Sequence, residues 1–139
     1  MWTRAEDSPT EHLFIMRTYR LPVPPPQTAY FGLRAMKTTA RRVIPVVFIT
    51  PRGREFRDWV SEVVGKCDEP TLVGRLRVKV TIHHKANSKY DLDNRFKGLL
   101  DAATNAGIWG DDSQIDDLRI VRGEKRPPDG VCVLEVEEL

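Results

Sequence analysis

The stretch RLRVKVTIHH, residues 75–84, alternates with the period of a strand. Leu76, Val78, Val80 and Ile82 fall on one side and Arg75, Arg77, Lys79 and His83 on the other, so this strand has one apolar face and one that is basic or exposed. An apolar sheet face must be covered, and the chain supplies helices to cover it. Thr50 followed by Pro51 predicts a helix start, an N-cap side chain and then a proline in the first turn, where a missing N–H costs nothing. Phe56, Trp59, Val60, Val63 and Val64 then recur at helical spacing as far as about Lys66. A second helix is predicted from near Asp91, with Leu92, Phe96, Leu99, Leu100 and Ala103 as its buried stripe and Gly107 at its end.

The remaining segments fill in the sheet. HLFIMRTYRL reads as a first strand stopped by PVPPP, and RVIPVVFIT as a short strand that Pro45 assigns to an edge or a bulge. The segment PPPQTAYFGLRAMKTTARR between them reads as a basic loop, KANSKY as a polar turn and GIWGDDSQ as a return loop. DLRIVRGE and VCVLEVEEL predict two strands closing the sheet as a hairpin across KRPPDG. The order predicts an α/β (α+β) fold, a small mixed sheet with two main helices packed on it. Residues 1–11 lack any period and are expected to be a flexible tail, with residues 12–139 forming one domain.

Composition excludes several classes. Hydrophobic residues make up 40% and charged residues 30%, and no apolar run approaches the ~18 residues of a membrane span. With no signal peptide in the sequence, the expected compartment is the cytoplasm. Cys67 and Cys132 sit in no CxxC or metal-ligand spacing and read as packing residues. Charge is unevenly placed: from Leu13 to Arg57 there are 9 basic residues against the single acid Glu55, 9 − 1 = +8, which leaves −6 for the rest of a chain whose net charge is +2. Such a split suits a protein with one surface for phosphates and another that gathers carboxylates around a metal; scattered solvated charge is the other reading. Arg34, Lys37, Arg41, Arg42, Arg52 and Arg54 are the candidate phosphate contacts in the basic block.

The acids carry the chemistry. Asp91 and Asp93 open the second helix, where one aspartate is an ordinary cap but two, two residues apart, are not both caps. Lys97 lies four residues from both Asp93 and Asp101, so surface i,i+4 pairing explains it without function. Turn chemistry likewise accounts for one of Asp111 and Asp112 better than for both. A helix of this length does not by itself return Asp112 to Asp91: the following strand must run back alongside, or another chain must complete the site. Phe96 and Ala102 occupy the positions where a calcium loop needs glycine and glutamate, which excludes an EF-hand. His83 and His84 alternate across a strand and do not make a zinc site with two distant cysteines. Oxygen ligands without histidine point to magnesium or manganese.

The run DLDNRFKGLLDA, residues 91–102, followed by GIWGDDSQ, residues 107–114, resembles the RusA family of Holliday junction resolvases, common in phages and prophages. The resemblance extends more weakly to PVPPPQTAYF and TPRGREFRDWV and covers most of the chain from Arg17 to Val136. It implies a homodimeric, magnesium-dependent endonuclease that cuts branched DNA in recombination and repair. Asp91, Asp93, Lys97 and Asp112 would carry cleavage, the three aspartates as metal ligands, with manganese a substitute. The alternative from another class is a branched-DNA-binding module without cleavage, and a third is an interaction protein whose acids serve only as caps and ion pairs. The N-terminal tail and the run VIPVVFIT depart from the compact family pattern.

Overall fold

The computed structural model describes residues 15–86 and 91–139. The expected tail at 1–11 and most of the KANSKY turn lie outside them. Strands β1 (Ile15–Leu21), β4 (Leu76–His83), β5 (Ile115–Arg122) and β6 (Val131–Glu138) form one mixed sheet in the order β1-β6-β4-β5. Strands β2 (Phe31–Lys37) and β3 (Val43–Ile49) form a separate antiparallel ribbon. Helix α1 (Gln27–Tyr30) is one turn, and α2 (Pro51–Cys67) and α3 (Phe96–Ala106) are the two main helices.

Strand β4 is the spine of the core. Leu76, Val78, Val80 and Ile82 are all fully buried, matched across the register by Leu134 and Val136 of β6. Phe56 and Val60 of α2 and Leu99, Leu100, Ala102 and Ala103 of α3 complete the cluster. Thr50 caps α2 as its sequence predicts, its Oγ1 accepting from the Gly53 N–H at 3.0 Å. Gly107 ends α3 at φ 84°, the left-handed conformation that glycine adopts without strain.

Three expectations are corrected. First, Phe31–Lys37 is a strand and not a loop: it pairs along its whole length with the β-branched run of β3, Leu33 opposite Val47 and Met36 opposite Ile44. Pro45 stands in a ribbon with two open edges, where its missing N–H is tolerated. Second, β5 and β6 are not a hairpin. Helix α3 returns the chain so that β5 adds parallel to β4 at the sheet edge, and β6 inserts on the other side of β4. The connection between them crosses the end of β4, with the Arg126 N–H donating to the His84 carbonyl at 3.0 Å and the Gly123 N–H to Ile82 at 2.9 Å. That crossing buries His83, read from the sequence as outward-facing; its Nδ1 lies 2.9 Å from the Glu124 carbonyl.

The third correction concerns Trp59, which is 53% exposed although it lies on the predicted apolar stripe of α2. Cys67 is exposed too, whereas Cys132 packs in the core, its thiol pushed up to about 12 by burial.

Tyr30 joins the helices. Its hydroxyl donates to Asp101 of α3, its carbonyl accepts from the Thr50 N–H at 3.0 Å, and its ring lies on Gly98. Burial, reinforced by the Asp101 carboxylate, raises the phenol well above its ordinary pKa, so it stays a donor. A Cβ at Gly98 would fall 2.7 Å from the Tyr30 ring. Gly98→Ala is expected to lower stability by ~1–3 kcal/mol, the usual cost of overpacking, measured by denaturant unfolding.

Candidate active site

The acid pair at the start of α3 sits on a single 3-10 turn, Leu92–Asn94, with Asp91 at the N-cap position. The helix proper therefore begins at Phe96, later than its sequence suggests. Asp91 has the extended backbone of a cap, φ −85° and ψ 137°, yet its side chain makes no capping hydrogen bond. The turn is held instead by its backbone and by Arg95, whose Nη1 donates to the Pro24 carbonyl at 2.8 Å. Asp91 and Asp93 are both exposed, and neither side chain has a hydrogen bond or ion pair among the described residues.

Lys97, on the first turn of α3, is equally uncommitted. The i,i+4 pairing open to it in the sequence is absent among the described residues, because Asp101 is occupied by the Tyr30 hydroxyl and by Arg57 Nε at 3.4 Å.

At the other end of α3 the two loop aspartates divide the work. Asp111 is the structural one: it makes a capping box with Gln114 and accepts from the Ser113 hydroxyl. Gln114 locks the loop further, its Nε2 donating to the Leu72 and Gly74 carbonyls at 3.0 and 2.9 Å, while its Oε1 accepts from the Gly110 and Asp111 N–H groups. Trp109 is fully buried, with Nε1 donating to Thr104 Oγ1 at 2.7 Å. The Asp112 side chain is exposed and has no partner among the described residues. Asp116 and Asp117, the other nearby acids, are held by Arg75 at 2.5 Å and Arg77 at 3.0 Å, and the Arg75 guanidinium depresses the Asp116 carboxyl below the usual range.

The structure thus keeps Asp91, Asp93 and Lys97 at one end of α3 and places Asp112 beyond the other. The 11 residues of α3 span ~16 Å at the helical rise. Ile115, just after Asp112, lies beside Leu76 at the start of β4, whereas Asp91 follows the strand's far end. Among the described residues no three His, Cys, Asp or Glu side chains come together as a metal site.

The basic block separates in a similar way. Arg17 is buried against Glu69 at 3.2 Å and Arg57 is spent on Asp101 and Asn105, so neither belongs to an open cationic surface. Arg34, Lys37, Arg41 and Arg42 are exposed on the β2–β3 ribbon and its connecting turn, with Arg34 lying 5.3 Å from the Phe48 ring centroid. Arg52 and Arg54 are exposed on the first turn of α2, where Arg54 also donates to the Ile49 carbonyl at 3.0 Å.

The uncommitted carboxylates at both ends of α3 and the exposed cations of the β2–β3 ribbon are charge sets that suit a protein directed at nucleic-acid phosphates. The chain belongs to the RusA family: the family described as Endodeoxyribonuclease RusA matches residues 22–133. The crossover junction endodeoxyribonuclease rusA of Enterobacteria phage HK97 is 32% identical over 122 residues, covering 86% of this chain and 94% of that protein. Its counterpart from Enterobacteria phage 82 is 31% identical over 110 residues, covering 77% and 84%. The RusA protein of Escherichia coli strain K12 is 29% identical over the same shares. No described helix is long and apolar enough to cross a membrane.

Proposed function

We propose that this chain is a crossover junction endodeoxyribonuclease that acts as a homodimer with Mg²⁺, or Mn²⁺ in its place, and nicks opposed strands of a four-way DNA junction. One observation carries the reading. Asp101, Asp111, Asp116 and Asp117 each have a structural partner, while Asp91, Asp93, Asp112 and Lys97 have none among the described residues. Four exposed charges with no structural duty are available for a ligand.

The donor set fits a hard divalent cation, since carboxylate oxygens held free of competing hydrogen bonds are what Mg²⁺ takes. Asp91 and Asp93 would hold it from one side and Asp112 from the other. Bound there, it supplies a Lewis acid that polarises a phosphodiester and acidifies a water. Lys97 sets its ammonium beside the same phosphate to stabilise the charge developing on the oxygens. The basic ribbon and Arg52 hold the flanking backbone. The test is strand-resolved cleavage of a synthetic four-way junction: paired nicks in Mg²⁺, none in EDTA, none on linear duplex. Binding without nicks would support the non-cleaving alternative instead.

The placement of Asp112 calls for a second chain, and the ribbon offers a surface for one. Leu33, Val43 and Val47 share one face and are 70%, 65% and 63% exposed. A two-stranded ribbon is marginal in water unless its apolar face is covered, and a second copy covers it here. Leu33→Arg is expected to convert a sedimenting dimer to a monomer and to abolish cleavage; a dimer that survives removes the ribbon from the interface.

Phosphate binding has its own signature. Junction affinity is expected to fall steeply with salt, and replacing Arg41 and Arg42 together with alanine to reduce the log–log slope by up to ~1.8, about 0.9 per lost phosphate contact. An unchanged slope places both off the DNA.

A further inference from the structure

The exposure of Trp59 has a structural counterpart. Beside it lies a cavity of about 290 Å³, lined on one side by Pro22, Val23 and Pro25 and on the other by Arg52, Glu55, Phe56 and Trp59 of α2. Its aromatic and proline surfaces are rigid: Phe56 is anchored in the core, and the proline segment has little freedom of its own. Arg52 and Glu55 are exposed, and their side chains have no hydrogen bond or ion pair among the described residues, not even with each other. The pocket therefore combines a half-exposed indole, an unpaired cation and an unpaired acceptor. Just under the ~300–1,000 Å³ typical of ligand sites, it suits one planar ring system.

Its location is fixed by two links. The Pro24 carbonyl, within the proline segment, accepts from Arg95, two residues after Asp93, which ties that side of the pocket to the aspartate turn. The first turn of α2 is tied to the first turn of α3 through Tyr30, whose carbonyl lies 2.5 Å from where a Cβ at Gly53 would stand and whose ring covers Gly98. The pocket is thus joined to the turn that carries Asp91 and Asp93 through one arginine side chain.

On the reading of this chain as a junction endonuclease, we infer that the Trp59 pocket takes one unstacked nucleobase of the bound strand. Trp59 is its stacking surface, Arg52 pairs with the adjoining phosphate and Glu55 accepts from a base N–H. Every base has a π-face, so stacking tolerates sequence, while the Glu55 acceptor favours bases that present an N–H. A protein segment inserting an apolar side chain is the competing occupant. It accounts for the indole but leaves Arg52 and Glu55 without a role. Trp59 and Arg52 act as positioning residues, setting which phosphate lies at the carboxylates.

The test uses the full-length protein and equilibrium binding in EDTA, so that it does not depend on cleavage. Junctions carrying a single abasic site are scanned through the positions flanking the branch point. The wild type is expected to lose affinity at one position in each of the two opposed strands. Trp59→Ala is expected to weaken binding to the intact junction on the order of tenfold and to be indifferent to the abasic site at that position, with Trp59→Phe recovering most of the loss. Because Trp59 is half outside the core, the variants should fold, which thermal unfolding checks; Arg52→Gln supplies a second probe and should weaken binding while keeping the abasic effect. Trp59→Ala binding as tightly as wild type, or losing as much at the same abasic position, overturns the pocket, as does its unchanged DNA binding alongside lost capture of a protein. A wild type that binds no junction, or binds and never cleaves in Mg²⁺, overturns the nuclease reading instead.

Discussion

Lys97→Ala is expected to lower single-turnover junction cleavage on the order of a hundredfold or more while the protein folds normally. The expectation rests on what Lys97 does not do. An exposed lysine four residues from two aspartates has an ordinary explanation in helix-surface pairing, worth only tenths of a kcal/mol. That explanation fails here, because Asp101 belongs to Tyr30 and Arg57 and no ion pair forms with Asp93. Removing the ammonium therefore leaves the described contacts intact. Junction affinity in EDTA should fall only modestly, as for the loss of one phosphate contact among several. Lys97→Arg keeps the charge and should restore part of the rate, which a purely structural role would not show. Wild-type turnover by Lys97→Ala would return the residue to the solvated surface.

What the sequence revealed of the fold is what local chemistry controls. The alternation of β4, the Thr50–Pro51 start of α2 and the Gly107 stop of α3 are each set by a few neighbouring residues, and each stands where it was expected. The misread parts depend on distant partners. Phe31–Lys37 is basic and contains Gly32, which lets the Phe48 ring lie across the strand, so its pairing comes from β3 and not from its own pattern. The order of β5 and β6 is set by α3 returning the chain parallel to β4, which two adjacent strand-like runs do not reveal. Trp59 fits a helical stripe by spacing, but the stripe is wider than the buried face of α2.

The candidate site was readable to a different depth. The four matched residues came from the resemblance of DLDNRFKGLLDA and GIWGDDSQ to the RusA family, and the geometry adds which acids are spent. Asp111 and Asp112 are indistinguishable as sequence; the capping box separates them because it uses the backbone of only one. The charge excess of the N-terminal half overstated the phosphate surface, since Arg17 and Arg57 are consumed by Glu69 and Asp101. Ion-pair partners 52 and 44 residues apart in number leave no local trace.

The largest expected effect concerns Asp112. Asp112→Asn should abolish Mg²⁺-supported cleavage, because a metal ligand must be ionised, while junction affinity in EDTA stays equal or rises as repulsion of phosphate is relieved. Asp111→Ala is the contrasting variant: it removes the side-chain acceptor of the capping box and should lower stability by ~1 kcal/mol with cleavage retained below the unfolding range. The position of Asp112 then allows a sharper experiment. Since Asp112 lies past one end of α3 and Asp91 before the other, the proposed site would draw them from different chains of a dimer. Asp91→Asn and Asp112→Asn dimers should each be inactive. In a mixed dimer, one site combines both substitutions and the other has neither, so mixing and refolding the two inactive proteins should restore activity to about a quarter of the sites, for random pairing in a two-fold dimer. The restored product should be a nick in one strand without its opposed partner. If both carboxylates served one site within a single chain, every site in the mixture would carry a substitution, and no nicking would return. An inactive mixture that contains mixed dimers by mass therefore refutes a site shared between chains.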